Sequence, residues 1–152
     1  MALEVVGSTP TGHPKQCGNV KWKNEEMGKI DDFEPLKERA KQFAVRIIKL
    51  ADSLPQRRSC DIIGRQIIRS ATSVGANYRA ACRARSKAEF VSKLHTVQEE
   101  SDETQYWLEV LQLSGAIADS DYREVHQEAS ELTAIFTASE KTARRNRDRG
   151  QR

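Results

Sequence analysis

The chain has 152 residues, 38% of them apolar and 31% charged, with 4 Pro, 8 Gly and a formal net charge of +3. This length suits one domain with a core of its own and is too short for two. The composition is typical of exposed helices around a modest core, so we predict an all-α fold. No apolar run approaches the roughly 20 residues of a membrane-spanning helix, and the N-terminal patch is too short for a secretory signal. We therefore expect a cytosolic protein.

Residues 1–30 contain several Gly and Pro residues and show no periodicity, which predicts a flexible leader. Met27 could serve as an alternative start, so the sequence leaves open whether residues 1–26 are translated.

From residue 33 onwards, apolar residues repeat at alternating spacings of four and three, the pattern of one buried face of a helix. Four such segments predict helices over 33–53, 60–83, 87–113 and 121–143. Their buried faces are led by Phe43 and Ile47, Ile67 and Val74, Leu94 and Leu108, and Leu132 and Phe136.

Capping residues and breakers mark the predicted helix ends. Asp31 with Glu34 can cap the first helix, Ser59 the second, Ser86 with Glu89 the third and Asp121 with Glu124 the fourth, and Gly115 ends the third. A competing interpretation breaks the second helix near Gly75, since Gly disfavours a helix interior.

The connecting loops are short, which favours an antiparallel, up-down-up-down four-helix bundle. We expect this bundle domain to cover residues 31–143 and a basic disordered tail to cover 144–152.

Charge is concentrated in particular segments. Residues 56–88 carry a net charge of +7, residues 89–109 carry −5 and residues 141–152 carry +5. Asymmetry of this kind indicates pairing between segments, an anionic partner, or both.

Arginines of the second helix recur along one stripe, as a phosphate-binding surface requires, although the same stripe could face the acids of the third helix. Almost no aromatic residue is interleaved, which argues against sequence-specific reading of single strands. The candidates for nucleic-acid binding are Arg57, Arg58, Arg65, Arg69, Arg79, Arg83, Arg85, Lys87, Arg144, Arg145 and Arg147.

Polar residues also fall on or beside the predicted core. Ser70 and Asn77 lie on the buried face of the second helix, and Glu100 and Glu103 lie on a stripe of the third helix that borders the core. A carboxylate near a core must be paired or hydrogen-bonded. We therefore predict a structural polar network of these four residues, with Arg69 as a further partner.

Some large apolar residues lie beside the main buried stripes. Ile48, Trp107 and Val110 are the candidates for an oligomer interface. Trp107 either widens the core of one chain or is buried against another copy. We favour a homo-oligomer.

No pattern of residues predicts catalysis or a metal. The acids between Glu99 and Glu103 have no nucleophile or phosphate loop with them, and His95 with Glu99 is more typical of a surface pair than of a metal site. The helical histidines lack the Glu-x-x-His spacing of di-iron bundles. We expect no cofactor, no bound metal and no enzymatic activity.

Three cysteines, Cys17, Cys60 and Cys82, lie far apart and have no CxxC spacing. We expect ordinary reduced thiols.

The segment Gly64–Leu113 resembles the four helix bundle protein family, also called the 23S rRNA intervening-sequence proteins, and the similarity extends loosely over residues 33–143. The marks of the resemblance are Arg69-Ser70-Ala71, Ser73 to Asn77, Ser86 with Glu89-Phe90, Glu100 to Glu103, and Trp107-Leu108-Glu109.

The resemblance implies a small bacterial bundle that assembles as a ring-like homopentamer with no established enzymatic activity. Its relatives include the accessory protein of diversity-generating retroelements, a basic pentamer that binds a reverse transcriptase and nucleic acid. Family members usually carry Glu at the position of Ala80, so whatever that acid contacts is missing or replaced here.

These observations predict a non-enzymatic, self-assembling scaffold or adaptor associated with nucleic acid or with a nucleic-acid enzyme. The alternative is direct, sequence-nonspecific binding of RNA or DNA through the second helix and the C-terminal arginines. We expect neither a membrane nor a small-molecule substrate as a partner.

Overall fold

The computed structural model describes residues 33–149, with side chains over 34–146. In this part of the chain all regular structure is helical: α1 (Phe33–Asp52), α2 (Arg58–Ala81), α3 (Lys87–Leu113) and α4 (Asp119–Arg149). The predicted all-α class and the four helices are confirmed. The predicted leader and the cap at Asp31 lie outside the described residues.

The start of α2 differs from the prediction. The helix begins two residues early, with Arg57 as its N-cap in extended backbone (φ −128°, ψ 144°) and without a side-chain hydrogen bond to the first turn. The N–H of Asp61 donates to the carbonyl of Arg57 at 3.0 Å and closes the first turn. The predicted cap at Ser59 is therefore wrong, because Ser59 already lies inside this turn.

The predicted alternative break at Gly75 is also wrong, because α2 continues to Ala81. A Cβ placed on Gly75 would lie 3.7 Å from the carbonyl carbon and oxygen of Ala40 in α1. This is an ordinary van der Waals distance, so the position has room for a methyl group but not for a longer side chain.

The bounds of α3 agree with the prediction, and so do its end signals. The N–H of Glu89 donates to Ser86 Oγ at 3.1 Å, and the Glu89 carboxylate accepts from the N–H of Arg85 at 2.8 Å. At the other end Gly115 has φ +68°, a conformation that glycine adopts without strain. The N–H of Ala116 then donates to the carbonyl of Leu111, as in a Schellman motif.

Helix α4 is longer than predicted at both ends. It begins at Asp119, so Asp121 lies in its first turn and is not the cap. It runs to Arg149, so residues 144–149 are helical and the predicted disordered tail is wrong over that range. Ala143 and Asn146 are each only 4% exposed, and this burial carries the helix beyond the predicted end.

The core forms where α1 packs on α2, α2 on α3, α3 on α4 and α1 on α4. Its largest fully buried side chains are Phe43, Ile47, Ile67, Leu94, Leu108, Leu111, Leu132 and Phe136, which lie on the predicted buried faces. Tyr78 joins them beside the ring of Phe136, with 5.1 Å between centroids.

Contacts between the helices pair particular positions. Ala40 lies against Gly75 and Ala51 against Gly64, so an early residue of α1 meets a late one of α2. Ion pairs join α1 to α4, with Arg39 Nε 2.7 Å from Glu128 Oε1 and Arg46 Nη2 2.5 Å from Glu124 Oε1.

Within residues 33–149, no helix combines the length and the apolar character that crossing a bilayer demands.

Candidate nucleic-acid interface

One stripe of α2 is exposed to solvent from end to end. Its members recur at alternating spacings of four and three, so each lies on the helix face opposite the core. All eight are exposed, and they are Arg58, Ile62, Arg65, Arg69, Thr72, Ala76, Arg79 and Arg83, the last in the turn that follows the helix. We call these residues the α2 stripe.

Arginines of the α2 stripe differ in whether an acid neutralises them. Arg65 Nη2 lies 2.8 Å from Asp61 Oδ2, one helical turn away. Arg58, Arg79 and Arg83 form no ion pair with any residue of the described chain. Both ends of the stripe therefore carry uncompensated positive charge.

Arg69 connects the α2 stripe to α3. Its Nη2 lies 2.6 Å from Glu103 Oε1, and its Nη1 lies 3.6 Å from Glu100 Oε1. The same oxygen of Glu103 accepts a hydrogen bond from the indole Nε1 of Trp107 at 3.0 Å. The internal use that the sequence allowed for these arginines is therefore seen at Arg69.

The pKa of Glu103 is lowered by this arrangement. The hydrogen bond from Arg69 is the largest cause, the one from Trp107 is the second, and partial burial opposes both. Arg69 is stabilised in its charged form by the same contact, which raises its pKa. Glu103 is therefore ionised at neutral pH and holds Arg69 and Trp107 on one surface.

Glu100 makes weaker polar contacts than Glu103. Its side chain is 18% exposed, and its Oε2 is buried without a hydrogen-bond partner among the described residues. Only its other oxygen approaches Arg69, at a distance longer than a hydrogen bond. Burial without a donor removes much of what this acid could contribute to stability.

The four residues of the predicted polar network do not form one side-chain network. Thr104 Oγ1 lies 2.9 Å from Ser70 Oγ in the buried layer between α3 and α2. Asn77 is only partly buried, and its Nδ2 donates to the carbonyl of Ser73 at 3.0 Å within α2. The structure thus brings Glu103 and Arg69 together, while Asn77 satisfies its amide locally.

A second polar layer, between α3 and α4, was not predicted. Ser101 Oγ lies 2.6 Å from Thr133 Oγ1, and Gln105 contacts both Thr133 and Ser130 at 2.9 Å. The sequence feature that could have predicted this layer is the presence of short polar residues on a buried helical face. Buried hydroxyls and amides require hydrogen-bond partners.

The remaining basic candidates lie outside the α2 stripe. Arg57 precedes it and is exposed, Arg85 is exposed in the loop before α3, and Lys87 is half-buried at the start of α3. Arg144, Arg145 and Arg147 lie on α4, where the first two are exposed and Arg144 approaches Glu140 at 3.8 Å. The side chain of Arg147 lies outside those described. The C-terminal arginines thus form a separate basic group on a different helix.

The three candidates for an oligomer interface differ in how exposed they are. Ile48 is 36% exposed beside Val45 on α1, whereas Trp107 packs against the core of its own chain. Val110 is half-buried. Sequence reasoning missed three other exposed apolar side chains, Ile62, Tyr106 and Leu113.

His95 Nε2 lies 3.4 Å from Glu99 Oε1, and both side chains are more than half exposed. This is the surface pair that the sequence favoured. Among residues 33–149 no three His, Cys, Asp or Glu side chains are grouped so that they could hold a metal ion. Cys60 and Cys82 are buried, and neither forms a disulfide within the described residues.

The part of the chain that matches a known family lies within the helices. Residues 35–138 match the family described as 23S rRNA-intervening sequence protein. The chain belongs to this family. The matched segment contains the whole α2 stripe and the contact of Arg69 with Glu103.

A solved structure is also similar to this chain. It is a protein of unknown function from the S23 ribosomal protein family of Bacteroides thetaiotaomicron, 35% identical in sequence with a TM-score of 0.66. The match covers 70% of this chain and 98% of the other. No curated protein matches the chain significantly.

Proposed function

We propose that this member of the 23S rRNA-intervening sequence protein family is a non-enzymatic, self-assembling scaffold or adaptor of the cytoplasm. Its partner is nucleic acid, or an enzyme that acts on nucleic acid such as a reverse transcriptase-like protein. The observation that carries the proposal is the exposed α2 stripe, in which Arg58, Arg79 and Arg83 have no ion pair in the described chain.

The physical reason is the electrostatic repulsion between neighbouring arginines that no acid neutralises. Arg79 lies in the last turn of α2 and Arg83 in the turn that follows it, so each raises the electrostatic potential at the other. A polyanion relieves this repulsion and releases its own counterions on binding. Because the stripe has no stacking aromatic, it would contact phosphates and would not read bases.

The proposed assembly is an antiparallel, up-down-up-down bundle that forms a ring-like homopentamer. The bundle topology is supported by the order of contacts, since Ala40 meets Gly75 while Ala51 meets Gly64. The resemblance to pentameric relatives supports the ring. Apolar exposure at Ile48 and Val45 supports an interface on α1.

Direct, sequence-nonspecific binding of RNA or DNA is the second candidate, and the unpaired arginines favour it. The test is fluorescence anisotropy with labelled single-stranded RNA and labelled duplex DNA over a range of salt concentrations. The family description refers to a 23S rRNA insert, so RNA is the first probe. The variant is R79Q/R83Q, and the matched control is K49Q/R123Q, which loses the same charge at exposed positions outside the stripe.

If the α2 stripe binds the nucleic acid, R79Q/R83Q weakens binding and lowers the salt slope by about 1 to 2, because two phosphate contacts are lost. The control should keep the slope of the natural protein. No measurable affinity at low salt would overturn direct binding and leave an adaptor that docks on a protein partner.

A further inference from the structure

The last turns of α3 carry apolar side chains on more than one side of the helix. Leu111 is fully buried in the core, and Trp107 and Val110 are half-buried. Tyr106 and Leu113 face away from the core and are 55% and 84% exposed. A surface helix has one apolar stripe and a polar opposite face, whereas a helix that is apolar all round is covered all round. A single chain therefore leaves one side of this part of α3 uncovered.

Tyr106, Val110 and Leu113 lie on one stripe of α3, because they recur at spacings of four and three residues. We call these three residues the α3 patch. The ring of Tyr106 packs edge-on against the ring of Trp107, with 5.0 Å between centroids and 68° between planes. This contact restricts the tyrosine ring, and restricted aromatic side chains are typical anchors of protein interfaces.

Negative charge borders the outward side of the α3 patch. Asp102 lies four residues before Tyr106 and Glu109 lies three residues after it, so both exposed carboxylates are neighbours of the tyrosine on the helix surface. Asp102 forms no ion pair with any described residue. Glu109 Oε1 lies 3.7 Å from Nε2 of His126. A partner for this patch therefore needs an apolar surface with positive charge at its edge.

Helix α1 carries such a surface. Val45 and Ile48 are 37% and 36% exposed and lie three residues apart, on the side of α1 that faces away from the core. We call these two residues the α1 patch. The other large apolar side chain that is exposed in the described chain, Ile62, lies within the α2 stripe.

The charge beside the α1 patch is mainly positive. Lys41 and Lys49 lie four residues before and after Val45, and both are exposed. Lys41 shares its charge with Glu38 at 2.5 Å, whereas Lys49 forms no ion pair with any described residue. Asp52 lies one turn beyond, at the end of the helix.

We propose that the α3 patch of one copy of this chain binds the α1 patch of the next copy. The proposal rests on the self-assembly of the proposed function and names the two surfaces that carry it. Burial of the two apolar patches stabilises the contact. The charges at the edges select the partner surface and its orientation more than they add affinity.

Because the two patches differ, the contact is head-to-tail. Two bound copies still have one free α1 patch and one free α3 patch, and only closure into a ring occupies every patch. The structure thus points to a contact of the kind that a ring-like assembly requires.

The test is complementation between two variants of the full chain, measured by size-exclusion chromatography with multi-angle light scattering. I48E blocks the α1 patch and Y106E blocks the α3 patch, and each is measured alone and in an equimolar mixture. A138E is the matched control, because it adds the same negative charge at an exposed position of α4. Circular dichroism verifies folding, and L113E is the second variant of the α3 patch, at a side chain that is 84% exposed.

We expect I48E alone and Y106E alone to have the mass of one chain, 17.2 kDa, and A138E to keep the mass of the natural protein. The mixture should form a pair of two 17.2 kDa chains, about 34 kDa. In that pair the intact α3 patch of I48E binds the intact α1 patch of Y106E.

Three results would overturn the contact. Folded Y106E and L113E could keep the mass of an assembled natural protein, the mixture could stay at 17.2 kDa, or each variant alone could form a dimer, which would mean that each patch binds its own kind. Any of these with an assembled natural protein leaves the proposed self-assembly standing. A natural protein of 17.2 kDa at every concentration would instead overturn the self-assembly itself.

Discussion

At the scale of single residues, Glu103 is the acid of α3 that links this helix to α2. It accepts from Arg69 of α2 and from Trp107 of its own helix, whereas Glu100 has one oxygen buried without a donor. Sequence alone could place both acids beside the core, because both lie on the same helical stripe. It could not rank them, because the ranking depends on which rotamer of Arg69 reaches which carboxylate.

We expect Glu103→Ala to lower the melting temperature more than Glu100→Ala. The first change removes two hydrogen bonds to a carboxylate that is about one-third exposed, a loss of about 1 kcal/mol of unfolding free energy. The second removes a carboxylate whose burial is only partly compensated. Thermal unfolding followed by circular dichroism measures both, and a larger effect at Glu100 would contradict the ranking.

The lowered pKa of Glu103 predicts a dependence of stability on pH. Its contribution is complete above the ordinary glutamate value, 4.5, and is lost as pH falls through the lowered value of the folded state. Denaturant unfolding of the natural protein and of E103Q from about pH 7 to about pH 3 should show an advantage of the natural protein that shrinks with acid. An advantage that stays constant would rule out this linkage.

At the scale of elements, the buried faces of all four helices could be predicted, because large apolar residues repeat at helical spacing. The end of α4 could not. Beyond Phe136 its buried face continues through Glu140, Ala143 and Asn146, which are small or polar and carry no apolar signal. The start of α2 was also missed, because an arginine N-cap without a side-chain bond leaves no trace in sequence.

Close packing of α1 on α2 makes Gly75 a test of element geometry. A Cβ at Gly75 would meet the backbone of Ala40 at 3.7 Å, an ordinary van der Waals contact. Gly75→Ala should therefore raise the unfolding free energy by about 0.5 to 1 kcal/mol through helix propensity. Gly75→Leu should lower it, because the longer side chain must displace α1.

Denaturant unfolding of both Gly75 variants, beside the natural protein, measures these changes. Gly64→Ala is the matched control, since its Cβ would meet only the side chains of Leu54 and Ala51. A destabilising Gly75→Ala would mean that the two backbones lie closer than the structure places them.

At the scale of the whole molecule, the basic residues fall into two groups. Some form ion pairs between helices, and others have no acidic partner in the described chain. Ion pairs of Arg39 and Arg46 with acids of α4 link the first helix to the last. On α2, Arg69 is paired with α3 while Arg58, Arg79 and Arg83 remain unpaired in the described chain. Regional charge could be counted from the sequence, but which arginines would be neutralised depended on the packing of the helices.

If the chains assemble through the exposed apolar part of α1, a charge placed there should weaken the assembly. Ile48→Glu should reduce the assembled mass and leave the helix content unchanged, because Ile48 is 36% exposed in one chain and lies outside its buried core. Light scattering and circular dichroism measure the two properties. Lys49→Gln, at the neighbouring exposed position, is the control, because it lowers the net charge by the same one unit.

The mass of the natural protein in solution, measured by size-exclusion chromatography with multi-angle light scattering, tests the proposed scaffold most directly. A pentamer of 17.2 kDa chains has a mass of about 86 kDa. That mass, holding across a tenfold dilution, is the predicted result. A mass of 17.2 kDa at every concentration would contradict a self-assembling scaffold.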